Sequence, residues 1–256
     1  MLALLINKFK KILFMLIVAS LIVASFADIM YAQNNKTTEI ETVRINSQYL
    51  QCEVVIRAGE YEGKYGKRIY INNCTINIPD DIPVRNDGDG KGFYISEWDI
   101  NVKEAKALVE ELRARGINAK LQIAYSKSED LNAAARIANK SNPYLYVSLH
   151  HNYYDSTSKG YFSMYNVNDA KAESMANRLS DSISRNGLVP QRQSRPNTGY
   201  IGELNNINPS TTAVLLELGF FSNLEELEII CSDNYVSYVS NQLANEIADI
   251  INSQYR

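Results

Sequence analysis

Two patterns of apolar residues alternate along this chain from about residue 50 onward. One is the short continuous run of a buried strand, and the other is the three-to-four spacing of an amphipathic helix. Residues 52–56 are apolar, β-branched and bounded by Ala58-Gly59, which predicts a buried strand. Ser96 with Asp99 three residues on approximates a capping box. Val102, Ala105, Val109 and Leu112 then recur at helical spacing, and Gly116 closes that helix. Strands are expected at 117–124, 145–149, 161–165 and 213–216, and a helix at 130–139. Another helix is expected after a cap at Asn168, with Ala172, Met175, Ala176, Leu179 and Ile183 on one face and its end at Gly187. Residues 188–210 read as a polar loop. Two helices finish the chain, the last lined by Val239, Leu243, Ile247 and Ile250. Alternation of this kind predicts an α/β fold: a mixed, mostly parallel twisted sheet with helices on both faces, in a single domain spanning residues 50–256. Functional groups in such a sheet gather at the carboxyl ends of its strands.

Two stretches break the rhythm. Residues 67–94 combine Ile69-Tyr70-Ile71, Pro79, Pro83 and Asn86-Asp87-Gly88-Asp89-Gly90, a pattern of short strands and turns set before the helix at Ser96. At the start of the chain, Lys8, Lys10 and Lys11 precede an apolar run over residues 12–27 that is short for a membrane span. Residues 1–32 therefore read as a signal peptide, with an uncleaved N-terminal anchor as the alternative. Candidate cleavage points follow Ala27 and Ala32. Residues 33–49, rich in Asn, Thr and Gln, form a spacer. Either way the folded part lies outside the cytoplasmic membrane, secreted or in the cell envelope, and any membrane contact runs through that N-terminal segment.

Composition narrows the partner classes. The net charge is −3, and loss of residues 1–32 would remove three lysines against one aspartate. That balance argues against a nucleic-acid partner. The three cysteines, Cys52, Cys74 and Cys231, have no zinc spacing. Cys52 and Cys74 could bridge in an oxidising compartment, or remain buried thiols.

Three places could carry chemistry. The two histidines of the chain, His150 and His151, are adjacent at the end of an apolar run, so strand alternation sends them to opposite faces. Glu217 lies inside the apolar stretch Ala213-Val214-Leu215-Leu216-Glu217-Leu218-Gly219-Phe220-Phe221, where a carboxylate is costly unless paired, metal-bound or protonated. Glu97 opens the helix after Ser96, a position that the helix dipole alone would favour.

In order and spacing these segments resemble one family. Ser148-Leu149-His150-His151-Asn152 is similar to the Ser-x-His-x-Asn segment of zinc-dependent N-acetylmuramoyl-L-alanine amidases of the Amidase_3 type. Glu217-Leu218-Gly219-Phe220-Phe221-Ser222-Asn223 resembles that family's Glu-x-Gly-Phe-x-Ser-Asn segment. Glu97-Trp98-Asp99-Ile100-Asn101 is similar to its helix-opening segment. Leu131, Arg136, Ala138 and Asn139 match a family helix, and Gly160 matches a family glycine. The resemblance implies a peptidoglycan hydrolase that cuts the amide between N-acetylmuramic acid and L-alanine. His150 and Glu97 would be ligands to a zinc cofactor, Glu217 the catalytic carboxylate, peptidoglycan the partner, and an activator protein a possible further one.

One position departs from the family. Where its first zinc-binding histidine stands, after an apolar strand and a glycine, this chain has Glu60. Glu60 either binds zinc through a carboxylate oxygen or marks a degenerate site. Two imidazoles and one carboxylate leave a zinc site with one positive charge, whereas two carboxylates and one imidazole leave it neutral. A neutral site activates its water less, so the expectation is altered zinc binding and slower hydrolysis. The alternative is a catalytically impaired member that binds peptidoglycan or an envelope partner. The stretch 67–94 is also longer than the family's and reads as an insertion near the cleft.

Overall fold

The computed structural model describes residues 52–60, 67–71, 76–125 and 131–254. The expected signal or anchor at 1–32, the spacer at 33–49, and Cys74 of the candidate bridge lie outside these residues.

A six-stranded sheet forms the centre. Its strands are β1 (Val54–Ala58), β5 (Ala119–Gln122), β6 (Leu145–Asn152), β7 (Phe162–Asn166), β8 (Arg195–Asn197) and β9 (Thr212–Phe220). Their order is β5-β1-β6-β9-β7-β8, and every neighbour is parallel except β7, which runs antiparallel to β9. β1, β6 and β9 occupy the middle and are buried almost throughout, which explains their near-continuous apolar sequences. Burying each Val, Leu or Ile there contributes on the order of 1.5–3 kcal/mol.

Helices cover both faces, as the alternation predicts. Helices α1 (Glu97–Ala114), α3 (Ala170–Ser182), α5 (Leu224–Cys231) and α6 (Asp233–Ser253) supply the larger core, against Val54, Ile56, Val147, Leu149, Val214 and Leu216. The other face is thinner. There α2 (Leu131–Ala138) and the short α4 (Gly202–Asn205) pack on Val55, Tyr146, Ala213 and Leu215. Among the described residues no helix is long and apolar enough to cross a membrane.

The stretch 67–94 contributes most of a second, small antiparallel sheet. Its strands, in the order β2-β4-β3, are β2 (Arg68–Tyr70), β4 (Phe93–Ser96) and β3 (Arg85–Asn86). β4 runs straight into α1, whose cap Ser96 accepts a hydrogen bond from the Trp98 amide. Arg85 from β3 pairs with Asp99 in the first turn of α1. This stretch is thus fastened to the start of the helix that carries Glu97.

Several boundaries differ from the sequence reading. β6 continues through both histidines to Asn152, and β9 continues to Phe220, because each follows its neighbour to the sheet's carboxyl edge. Asp169, not Asn168, caps α3 by accepting from the Ala172 amide, while Asn168 takes a left-handed turn at φ 66°. The loop 188–210 is not featureless: it contains β8 and α4.

Candidate metal centre

Strand alternation assembles the site. Val55, Tyr146, Ala213 and Leu215 face α2 and α4, so residues two or four further along the same strands share that face. These are Arg57, His150 and Glu217. β6 and β9 run in register, with His150 opposite Glu217 at the carboxyl edge. Val147, Leu149 and His151 take the other face, where α1 lies.

α1 brings Glu97 to the same edge. Its carboxylate is fully buried; at Oε1 it accepts from the Asn101 side-chain amide (3.1 Å) and the His151 backbone amide (3.2 Å), and His150 Nδ1 lies 3.1 Å away. Burial opposes its ionisation, but the contact with His150 and the nearby Lys67 charge outweigh this and hold its pKa down to about 2. Asn101 also donates to the Gly59 carbonyl (3.1 Å) and faces His151 Nδ1 (2.8 Å), so one side chain ties α1 to β1 and β6. Burial keeps His151 neutral, with its pKa lowered to about 3.

Glu60 follows β1 at φ 61°, a left-handed conformation that L-residues rarely adopt. Arg57 Nη2 donates to its carbonyl at 2.9 Å. A ligand atom from each of Glu60, Glu97 and His150 lies within 4.8 Å of the other two. Gly59 is what lets the imidazole in: a Cβ there would sit 2.4 Å from the His150 ring.

Glu217 stands beside this group, partly exposed at the strand end but with Oε2 enclosed and without a hydrogen-bond partner among the described residues. Burial pushes its pKa up to about 7; the charge on His150 pulls it down, and that on Glu97 pushes it up. Glu60 is raised by burial and then by Glu97. Lys67 Nζ lies 3.5 Å from a carboxylate oxygen of both Glu60 and Glu97.

These residues fit a divalent cation. Two carboxylates and an imidazole are acceptable zinc donors. Glu97 Oε2 is enclosed and makes no hydrogen bond among the described residues, and a positive group, the Lys67 ammonium, already lies between the acids. His151 stays outside the group, as alternation predicts.

The remaining motif residues are architectural. Asn223 caps α5 by accepting from the Glu225 and Glu226 amides, and Ser222 accepts from the Tyr154 amide. Gly160, at φ 108°, approaches the Pro190 carbonyl so closely that a Cβ would lie 2.6 Å from it, and its amide donates to Glu226. Sequence reasoning missed Glu203, a fully buried acid on α4 whose Oε2 lies 3.7 Å from His150 Nε2. Its one signal was an acid between the apolar Ile201 and Leu204 in an otherwise polar loop.

Sheet order and site together define an α/β protein with a candidate metal centre at the carboxyl edge of its central strands. The chain belongs to the N-acetylmuramoyl-L-alanine amidase family Amidase_3, whose profile matches residues 85–252. That span contains Glu97, His150 and Glu217 and leaves out Glu60, which the geometry brings into the group. Solved structures share the fold. An N-acetylmuramoyl-L-alanine amidase from Clostridium difficile 630 is 19% identical, covering 79% of this chain and 98% of its own, with a TM-score of 0.59. Ami1 from Mycobacterium smegmatis is 18% identical, covering 81% and 100%, with a TM-score of 0.61. The CwlD amidase from Clostridioides difficile, solved in complex with the GerS lipoprotein, is 18% identical, covering 79% and 99%, with a TM-score of 0.55. No curated protein matches the chain significantly.

Proposed function

We propose that this protein is a zinc-dependent peptidoglycan amidase that hydrolyses the bond between N-acetylmuramic acid and the L-alanine of the stem peptide. The observation that carries this reading is the convergence of Glu60, Glu97 and His150 within 4.8 Å, beside Glu217, whose enclosed Oε2 has no hydrogen-bond partner among the described residues, in a chain of the amidase family.

Glu60, Glu97 and His150 would hold the zinc, whose contribution when bound is Lewis acidity toward the scissile carbonyl and a lowered pKa for a coordinated water. Glu97 is held for this by Asn101 and the His151 amide, so its Oε2 stays directed to the site. Glu217 takes a proton from the attacking water at Oε2 and delivers one to the leaving amine of L-alanine. The two-carboxylate ligand set is neutral with zinc, which makes turnover slower than in a site with one carboxylate. The leader at residues 1–32 would export the domain to its substrate, and an activator protein remains a candidate partner.

Digestion of purified peptidoglycan, with mass analysis of the products, tests the reading. Free stem peptides beginning at L-alanine are expected, and Glu217→Gln should lower their formation by about 10²–10⁴-fold. Cleavage at another bond, or none with zinc present, would overturn it.

Lys67 favours a second reading. Its ammonium neutralises Glu60 and Glu97 without a metal, as a binding protein with a retired centre would require. The variant Lys67→Met separates the two. In the amidase, wild-type protein carries zinc and the variant binds it more tightly, because a competing cation is gone. In the binder, wild-type protein carries none.

A further inference from the structure

We infer that Glu203 is a positioning residue for His150: it accepts the proton of Nε2, fixing the ring's tautomer and leaving Nδ1 to face the metal. The inference rests on the reading of His150 as a zinc ligand. The imidazole lies between two carboxylates. Nδ1 is 3.1 Å from Glu97 Oε1, and Nε2 is 3.7 Å from Glu203 Oε2. That second distance is slightly beyond hydrogen-bond length, yet both atoms are enclosed and neither has a hydrogen-bond partner among the described residues. Glu203 lies outside the group formed by Glu60, Glu97 and His150. The ring therefore shows its Nδ1 edge to Glu97, a member of that group, and its Nε2 edge to Glu203.

A neutral imidazole that gives one nitrogen to a metal carries its proton on the other, and a buried N–H needs an acceptor. Glu203 supplies that acceptor, and its own position is determined twice over. The Tyr146 hydroxyl donates to its Oε1, from a strand position four residues before His150 on the same face. The Arg57 guanidinium, itself fully buried, offsets its charge. Arg57 also donates to the Glu60 carbonyl at 2.9 Å, so one cation braces both the acid behind His150 and the backbone of Glu60. An acid retained only to pair with Tyr146 and Arg57 would not leave an enclosed oxygen directed at Nε2.

Because the chain has two histidines, nitrogen-15 spectra of the zinc-loaded full chain resolve the ring of His150. Nε2 should be protonated, and Nδ1 should carry the metal-induced shift. Zinc affinity, measured by competition with a chromophoric chelator, should fall about 10–100-fold in Glu203→Gln and recover partly in Glu203→Asp. Metal on Nε2, or an unchanged affinity in Glu203→Gln, would overturn the inference while leaving the zinc site standing. A wild-type chain that binds no zinc would overturn the site reading and this inference together. Should Glu203→Gln fail to fold, the wild-type spectrum still decides.

Discussion

Glu60 combines an unusual backbone with an unusual identity. A left-handed conformation costs an L-residue on the order of 1–2 kcal/mol, and glycine nothing comparable. Glu60→Gly should therefore raise the melting temperature of the metal-free protein while weakening zinc binding. A variant that loses stability would show that the carboxylate contributes more to the metal-free fold than its backbone costs. Gly59→Ala acts on the same site from the opposite side. Its Cβ would need the space of the His150 ring, 2.4 Å away, so zinc affinity should collapse with little change in helix content by circular dichroism. Glu97, His150 and Glu217 were legible because each sits in a spaced motif. Glu60 was legible only as a departure from one. Glu203 and Arg57 were not legible, since a loop acid and a strand-end arginine acquire meaning only when β1, β6 and α4 meet.

At the scale of elements, α1 organises the site and buries a carboxyl group that folding keeps protonated. Glu104, two turns past Glu97, is buried without a hydrogen-bond partner at Oε1 among the described residues, and burial raises its pKa from 4.5 to about 8, against a smaller lowering by Lys103. Between those values the folded state keeps a proton that the unfolded chain releases. Glu104 therefore makes stability fall as pH rises from about 4.5 to 8. Glu104→Gln removes that dependence. Chemical denaturation of both proteins at pH 5 and pH 8 should show the variant's advantage growing with pH, and an equal difference at both pH values would refute the assignment. The turn after β9 is a second fixed element. Asn223→Ala removes the cap of α5 and should cost about 1 kcal/mol in denaturant unfolding, shifting the strand end that carries Glu217. Periodicity revealed the cores of these elements but not their ends. β6 and β9 lengthened because pairing with each other carried them past their apolar runs, and α4 is too short to leave a periodic trace.

The whole molecule places an acidic centre at the edge of a sheet that is otherwise apolar. Glu60, Glu97, Glu203 and Glu217 converge there, with Lys67 and Arg57 as the nearby cations. The mixed sheet with helices on both faces was readable from alternation alone, because parallel strands covered on both sides need continuous apolar runs. The antiparallel turn of β7 and the attachment of the small sheet to α1 were not, since both depend on contacts distant in sequence. β2 begins beside Lys67, whose carbonyl accepts from the Glu97 amide at 3.0 Å, so the small sheet holds a cation beside the two acids. On the proposed reading, Glu60 completes a zinc site with Glu97 and His150. Anomalous diffraction at the zinc edge, from crystals of the full chain grown with zinc, tests this directly. One strong peak is expected, bounded by those three side chains and within reach of Glu217. A centre empty of zinc, with Lys67 still between the two acids, would contradict it.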